Sequence, residues 1–180
     1  MDTGTQDGLR EELLVVRCQL GERAAFEELT RHWAPLLLSH LRRVAGSQAA
    51  DDLAQEVWIR VLRGIARLRE GAKLKPWLLG IAHHVMMDHL RLRYAEAAAG
   101  IDDIAEQEDG GREEILAALE VQLAALPTLE RETLTLFYLE ELPLADIARI
   151  QAVPQGTVKS RLFRARALLR ERLKAKGVTA

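Results

Sequence analysis

The sequence predicts an all-α protein made of two small helical domains joined by a flexible acidic linker, the C-terminal domain being a helix-turn-helix. The 180 residues are rich in Leu, Ala, Arg and Glu and only 4% aromatic, and no segment alternates like a strand. Between Glu96 and Glu114 lie eight acids and one arginine, a charge of −7, together with glycines. This segment interrupts the helical pattern. It predicts an N-terminal domain over residues 1–95, a linker over 96–112 and a C-terminal domain over 113–180.

The bulk properties exclude several classes of protein. An apolar content of 48% with 29% charged residues is typical of a globular chain. No apolar run is long enough for membrane insertion, and the N-terminus lacks the apolar core of a signal peptide. The single cysteine, Cys18, excludes an internal disulfide and predicts a cytoplasmic protein. Little sequence follows the last predicted helix, so we expect no fused sensory domain.

The N-terminal domain is predicted to contain four helices. The first ends at Gly21, and the second runs to Gly46 through Pro35, which should bend it or split it. Ser47 is the predicted N-cap of the third, and Pro76 lies in the first turn of the fourth. The expected apolar stripes are Leu9, Leu13, Val16 and Leu20; Phe26, Leu29, Trp33, Leu37, Leu41 and Val44; Leu53, Val57, Val61 and Ile65; and Trp77, Leu78, Ile81, Val85 and Leu92.

The C-terminal domain begins with a helix that Pro127 ends, and Thr128 is the predicted cap of the next helix. A helix-turn-helix follows between Leu142 and Leu173, with its turn at residues 152–154. The apolar positions of these elements are Ile115, Leu119, Leu123 and Leu126; Leu129, Leu134, Phe137 and Tyr138; Leu144, Ile147, Ala148 and Ile150; and Val158, Leu162, Ala165 and Leu169.

The last helix is strongly basic. From Gln155 to Ala180 there are eight Lys and Arg residues against one acid, Glu171, a local charge of +7. Such a helix can enter the major groove of DNA, where Arg and Lys reach phosphates and base edges. The alternative is an ordinary solvated face. Phe163, a large apolar residue among the charges, favours a binding surface.

Three segments together resemble a known family. They are DDLAQEVW (51–58), PWLLGIAHHVMMDHLR (76–91) and VPQGTVKSRLFRARALL (153–169). In this order, with an acidic segment between the second and third, they are similar to the bacterial extracytoplasmic-function (ECF) sigma factors. These proteins are two-domain specificity subunits of RNA polymerase. The resemblance covers the chain from about Leu9 to Leu173 and implies core RNA polymerase and promoter DNA as partners.

The resemblance also implies roles for particular residues. The helix containing DDLAQEVW would dock on the largest subunit of the polymerase, although the residues alone favour an ordinary acidic helix start. The loop and helix from Leu68 to Arg93 would melt and read the −10 promoter element. Bases are held there by aromatic platforms and phosphates by cations. The candidates are Asp52, Gln55, Glu56 and Arg60 for docking, and Leu68, Lys73, Lys75, Trp77, His84, Arg91 and Arg93 for the −10 element.

Two departures from the family pattern fall in the −10 segment. Leu74 stands where family members commonly have Phe, and His84 stands where they have Asn. The −10 sequence preference therefore does not carry over. Trp77 is open to a second interpretation as a core residue, because Leu78 and Ile81 adjoin it.

The last helix would read the −35 element, with Lys159, Ser160, Arg161, Phe163 and Arg164 at the DNA-facing positions of the family. The acidic linker would occupy the RNA channel of the polymerase as a charge mimic, although a plain spacer explains its composition equally well. Regulation by an anti-sigma factor is implied by the family alone.

Other functions fit less well. A simple helix-turn-helix repressor or activator leaves DDLAQEVW and the acidic segment without a role. An enzyme is not expected, because no phosphate loop, activated nucleophile or carboxylate pair is recognisable. A metal at His83, His84, Asp88 and His89 lacks further ligands, so neither a metal nor a cofactor is expected.

Overall fold

The computed structural model describes residues 3–98 and 114–175, and these residues form helices and turns without a strand. This confirms the all-α prediction. The helices are α1 (Thr3–Gln19), α2 (Arg23–Ala45), α3 (Ser47–Gly64), α4 (Leu74–Ala98), α5 (Glu114–Ala124), α6 (Thr128–Leu134), α7 (Leu144–Ile150) and α8 (Gln155–Ala175). Two 3₁₀ turns, Ile65–Arg67 and Gly71–Lys73, connect α3 to α4, and a π-helical turn, Thr135–Leu139, extends α6.

Most helix ends follow the sequence signals, with two corrections. Gly21 and Gly46 have φ angles of 81° and 90°, a region that glycine enters at low cost. Pro35 does not split α2, which runs unbroken through it. The predicted caps Ser47 and Thr128 are wrong. Each is already the first residue of its helix, and no side-chain capping hydrogen bond forms there.

The N-terminal unit packs α1–α4 around one core. The predicted stripes of α2 and α3 are buried, apart from Phe26, which packs partly buried against this core. On α1 the expected stripe is wrong, because Leu9, Leu13, Val16 and Leu20 are exposed. The opposite face, with Leu14, Val15 and Cys18, is buried instead, and Leu92 on α4 is also exposed. Burial raises the pKa of the Cys18 thiol, which keeps it protonated and unreactive.

The C-terminal unit has a second core, and the helix-turn-helix is confirmed. Helices α7 and α8 bury the predicted positions Ile147, Ile150, Val158, Leu162 and Ala165. Ala152 adopts a φ of 51° in the turn between them. Leu119 and Tyr138, expected to be buried, are exposed.

The two units meet at a contact that we call the seam, formed by α2 and α4 on one side and by α6, the π-helical turn and α7 on the other. Leu79 of α4 is fully buried and belongs to the C-terminal core. Arg131 of α6 donates a hydrogen bond to the carbonyl oxygen of Val44, at the end of α2. A cation at that position is favoured by the helix dipole. The seam therefore determines which surfaces of the two units remain exposed to solvent.

His40 makes the stability of this fold sensitive to pH. It is 1% exposed at the seam, and burial lowers its pKa below the ordinary 6.5. Glu132 and Glu140 oppose this shift, whereas Arg43 and His83 add to it. Below about pH 6.5 the unfolded chain therefore binds a proton that the folded chain resists. We expect the free energy of unfolding to fall, by up to about 1.4 kcal/mol per pH unit, as the pH drops from 6.5.

The measurement is urea denaturation at pH 7.5 and 5.5 of the parent and of His40→Gln, which cannot titrate in this range. The parent should lose more stability than the variant on acidification. An equal loss in both proteins would assign the pH dependence to other groups.

Candidate nucleic-acid and protein interfaces

The outward face of α3 combines acidic, polar and apolar side chains. Asp52 and Gln55 are exposed, as expected. One and two turns further along the same face lie Ile59, 43% exposed, and Leu62, 59% exposed. The sequence interpretation missed these two residues, although both fall off the buried stripe at helical spacing from Gln55. Exposed apolar side chains beside charges are typical of a protein-binding surface.

Glu56 and Arg60 lie at the flank of this face and are half-buried. The Arg60 guanidinium contacts Oε1 of Glu56 at 2.8 Å and Oδ2 of Asp88, on α4, at 3.1 Å. The hydrogen bond that Arg60 donates to Glu56 is the main reason that the pKa of Arg60 is raised. These two docking candidates therefore already join α3 to α4.

Four of the −10 candidates meet at one place. Leu68, Lys73, Trp77 and His84 line an open cavity of about 420 Å³ between the turn after α3 and the first half of α4. The cavity wall is completed by α7, through Asp146, Arg149 and Ile150. A cavity with an aromatic ring, a cation and an imidazole can hold an unstacked base.

The other three −10 candidates lie elsewhere. Lys75 points into the seam, where its Nζ donates to the carbonyl oxygen of Glu140 at 2.8 Å. Arg91 and Arg93 are exposed on the later part of α4, and Arg91 is paired with Asp88 at 3.1 Å. At about 1.5 Å per residue, Arg91 lies roughly 10 Å beyond His84 along the helix.

Trp77 is both a core residue and a cavity residue. Its indole packs partly against the N-terminal core and over Gly64, where an added Cβ would lie 3.2 Å from Cζ2. A side chain at Gly64 would therefore push the ring toward the cavity, which makes this glycine part of the support of the site.

The ring of His84 has a defined orientation. Its Nδ1 lies 2.6 Å from the carbonyl oxygen of Gly80. Because a carbonyl oxygen only accepts, Nδ1 must carry the proton of this bond. In the neutral ring Nε2 is then an acceptor that faces away from the helix backbone. His84 can thus present a hydrogen-bond acceptor to a base.

Three of the four residues considered for a metal, His83, His84 and Asp88, have other partners. His83 contacts the carboxylate of Glu132 through Nδ1, at 2.8 Å from Oε1, and Asp88 is engaged by Arg60 and Arg91. Within residues 3–98 and 114–175, no three His, Cys, Asp or Glu side chains are arranged to hold a metal ion.

The outward face of α8 carries most of the −35 candidates. Lys159, Ser160, Phe163 and Arg164 are exposed, Phe163 to 73%. Helical spacing places them opposite the buried Val158, Leu162 and Ala165. An apolar ring flanked by cations suits the major groove, where thymine presents a methyl group.

Two arginines of α8 are held by side chains that the sequence did not single out. Arg164 donates to Oε1 of Glu130 at 2.9 Å, and Arg161 donates to Oε1 of Gln151 at 2.8 Å. Arg161 lies at the edge of the helix, nearer the core than the other candidates. No sequence pattern marks Glu130 or Gln151, because their partners lie on other helices.

Sequence comparison agrees with this arrangement of two units. The family profile described as Sigma-70 region 2 matches residues 29–95, and that of Sigma-70, region 4 matches residues 116–169. The RNA polymerase sigma-H factor of Pseudomonas aeruginosa is 32% identical over 174 residues, which cover 87% of this chain and 90% of the relative. The ECF RNA polymerase sigma factor SigM of Mycobacterium tuberculosis is 32% identical over 92% of this chain and 85% of the relative. The chain belongs to the ECF sigma-70 family.

Solved structures share the fold of this sigma factor. The sigma factor RpoE, in complex with the anti-sigma factor NepR from Bartonella quintana, matches with a TM-score of 0.69 and 26% identity. The match covers 83% of this chain and 96% of RpoE. CnrH, in complex with the cytosolic domain of CnrY, matches with a TM-score of 0.66 over 92% of this chain and 97% of CnrH. At 20% identity, the likeness to CnrH concerns the fold alone.

As an ECF sigma factor, the protein binds core RNA polymerase, recognises the −35 and −10 promoter elements and directs transcription initiation. The helix-turn-helix, with the α7 wall of the cavity, belongs to region 4, and the rest of the cavity and the outward face of α3 belong to region 2. None of the helices in the part of the chain that the structure describes could cross a membrane.

Proposed function

We propose that three surfaces divide the work of this sigma factor. The outward face of α3 docks on core polymerase, the cavity at the start of α4 captures a base of the −10 element, and the outward face of α8 reads the −35 element. One observation carries this proposal. Charged, polar and large apolar side chains are exposed on three separate helices, and the opposite faces of these helices form the two cores.

At the docking face, Asp52 and Gln55 supply specificity, and Ile59 and Leu62 supply the apolar contact. Charged groups mainly steer association, whereas desolvated apolar anchors contribute most of the affinity. Glu56 and Arg60 act indirectly in this proposal, because Arg60 forms ion pairs with both Glu56 and Asp88, which fixes the angle between α3 and α4.

In the cavity that receives the −10 element, Trp77 and Leu68 form the apolar walls around an unstacked base. His84 reads the base edge through Nε2, and Lys73 binds a neighbouring phosphate. Arg91 and Arg93 contact phosphates further along the strand. Lys75 joins them only when it leaves Glu140.

On the −35 element, Phe163 of α8 packs on a thymine methyl group, and Lys159, Ser160 and Arg164 contact phosphates or guanines. Arg161, tied to Gln151, is placed to contact the backbone at the edge of the groove.

The chain divides functionally into residues 1–95, 96–112 and 113–180. The middle segment, within the eight-acid stretch of charge −7, is suited to a basic channel that otherwise holds RNA. We assign no catalytic step to this protein; it acts in the cytoplasm as an adaptor for the polymerase. Because its relative RpoE is bound by an anti-sigma factor, we also propose control by a partner of that kind.

Promoter opening tests the proposal. With core polymerase and a cognate promoter, the parent should make thymines near the start site reactive to permanganate. His84→Ala should reduce this reactivity by about tenfold, the loss expected for one or two hydrogen bonds to a base, while duplex binding is retained. His32→Ala, an exposed histidine on α2, is the matched control. If His84→Ala opens and selects promoters as the parent does, the base-reading role of His84 is wrong.

A further inference from the structure

Part of the wall of the −10 cavity comes from the segment between α3 and α4. We call this segment, residues 65–73, the −10 loop. It contains the two 3₁₀ turns, and four of its residues line the cavity: Leu68, Arg69, Glu70 and Lys73. A 3₁₀ turn has few hydrogen bonds of its own and poorer bond geometry than an α-helix. The position of the −10 loop therefore depends on what it packs against.

The other side of the −10 loop faces α1. A second cavity, of about 310 Å³, separates the middle of the loop from this helix. Leu68, Arg69 and Glu70 line both cavities, so the middle of the loop is a wall that the two cavities share. Because the wall is not packed on its α1 side, the contacts that α1 makes at the two ends of the loop decide where the wall lies.

Gln19, the last residue of α1, holds the first half of the loop. Its Nε2 lies 3.1 Å from the carbonyl oxygen of Ile65 and 2.8 Å from that of Leu68. A carbonyl oxygen only accepts, and the amide nitrogen of glutamine carries two hydrogens, so one side chain donates to both. These bonds tie both ends of the first 3₁₀ turn to α1, and one of them belongs to the cavity residue Leu68.

The second half of the loop approaches α1 so closely that only glycine fits. A Cβ at Gly71 would lie 2.7 Å from Cα and 2.9 Å from Cγ of Glu12, well inside van der Waals contact. The φ angle of Gly71 is not positive, so glycine is required by the close approach and not by a left-handed backbone. Glu12 and Gln19 lie about two turns apart on one face of α1, with the buried Val15 between them. Helix α1 thus holds both ends of the loop.

We propose that α1 positions the −10 loop and thereby sets which base the −10 cavity accepts, with Gln19 and Gly71 as positioning residues. This inference rests on the proposed −10 cavity. Neither residue lines that cavity. Gln19 acts through the backbone of Leu68, and Gly71 acts by letting the loop lie against α1. A shift of Leu68 changes the space for a base between it and Trp77, whereas the −35 contacts of α8 stay the same.

Gln19→Glu tests the first contact. It keeps the shape of the side chain but replaces the donor with an acceptor, which then faces two carbonyl oxygens. Holoenzyme initiates from a pool of promoters that share one −35 element and carry each of the four bases at every −10 position. At one position the preference for the favoured base over the next should fall about tenfold, the effect expected for the loss of two hydrogen bonds. Affinity for core polymerase and for the −35 element should equal that of the parent.

Gln19→Lys supplies a donor again and should restore the base preference to within about threefold of the parent. Because a preference is a ratio between promoters, a general effect of the new charge on DNA binding cancels. Leu20→Glu is the charge control. It adds the same carboxylate at the neighbouring position, where the side chain is 75% exposed, and should leave the preference unchanged.

Gly71→Ala tests the second contact. The added methyl group must push the loop away from Glu12, so the base preference should change at the same −10 position as in Gln19→Glu. Gly8→Ala is the matched control, because it is the same substitution on α1 and no atom lies within 4 Å of the added Cβ. Its base preference should equal that of the parent.

The same pool of promoters separates this inference from the function on which it rests. If either Gln19→Glu or Gly71→Ala keeps the base preference of the parent, or loses initiation equally at every −10 sequence, α1 only stabilises the fold and the positioning role is wrong. His84→Ala reports on the cavity itself. If His84→Ala also keeps the preference of the parent, the proposed −10 cavity fails. If His84→Ala changes the preference and the α1 variants do not, the positioning role fails alone.

Discussion

Asp52→Lys combined with Leu62→Glu should abolish most of the binding to core polymerase. The first change reverses a steering charge, and the second places a carboxylate where we propose an apolar anchor. Loss of an anchor of this kind costs about 2–4 kcal/mol, which is roughly 30- to 1,000-fold in affinity. Both residues are exposed, so the free energy of unfolding should change by no more than about 0.5 kcal/mol for each. Titration of labelled core enzyme and a thermal melt measure the two quantities.

Leu13→Glu is the matched control for this variant. Leu13 on α1 is 61% exposed, against 59% for Leu62, and it receives the same new charge on a different helix. Glu56→Gln is informative in another way. Because the Glu56 carboxylate is paired with Arg60, its loss should disturb the contact of α3 with α4 before it affects docking. Unchanged polymerase binding by the Asp52→Lys/Leu62→Glu variant would exclude α3 as the docking helix.

Substitutions on α8 should separate phosphate contacts from base contacts. A phosphate contact releases a counterion, so Lys159→Ala should lower the slope of log affinity against log salt by about 0.9. Phe163→Ala should leave this slope unchanged, because an apolar contact releases no ion. It should instead remove about 1–3 kcal/mol of discrimination for thymine at one position of the −35 element. Holoenzyme binding to promoter duplexes at several salt concentrations measures both effects.

Lys174→Ala controls for the general charge of α8. It removes an exposed lysine about 22 Å along the helix from Lys159, beyond the proposed contact. If Lys174→Ala changes the salt slope as much as Lys159→Ala, the charge of α8 acts as a diffuse field. If Phe163→Ala discriminates between bases as the parent does, α8 meets DNA in another rotation.

Local patterns predicted most helices well, because a helix that packs on a core must bury one stripe at a period of 3.6 residues. The stripe of α3 and the helix-turn-helix are examples. On α1 the same reasoning predicted burial of the wrong face, because this helix has apolar residues on two opposite faces. Periodicity identifies a helix with two such faces but does not decide which face is covered.

The sequence by itself determined the all-α class, the two helical units, the exposed Phe163 on a basic helix and the resemblance to ECF sigma factors. The tertiary structure decided that Lys75 lies in the seam, that Arg60 ties α3 to α4, and that Gln151 and Glu132 connect α8 to α4. His83 and Glu132 lie 49 positions apart in the sequence, and Lys75 and Glu140 lie 65 positions apart. Such pairs depend on how two separately folded units pack together, which no local spacing of residues encodes.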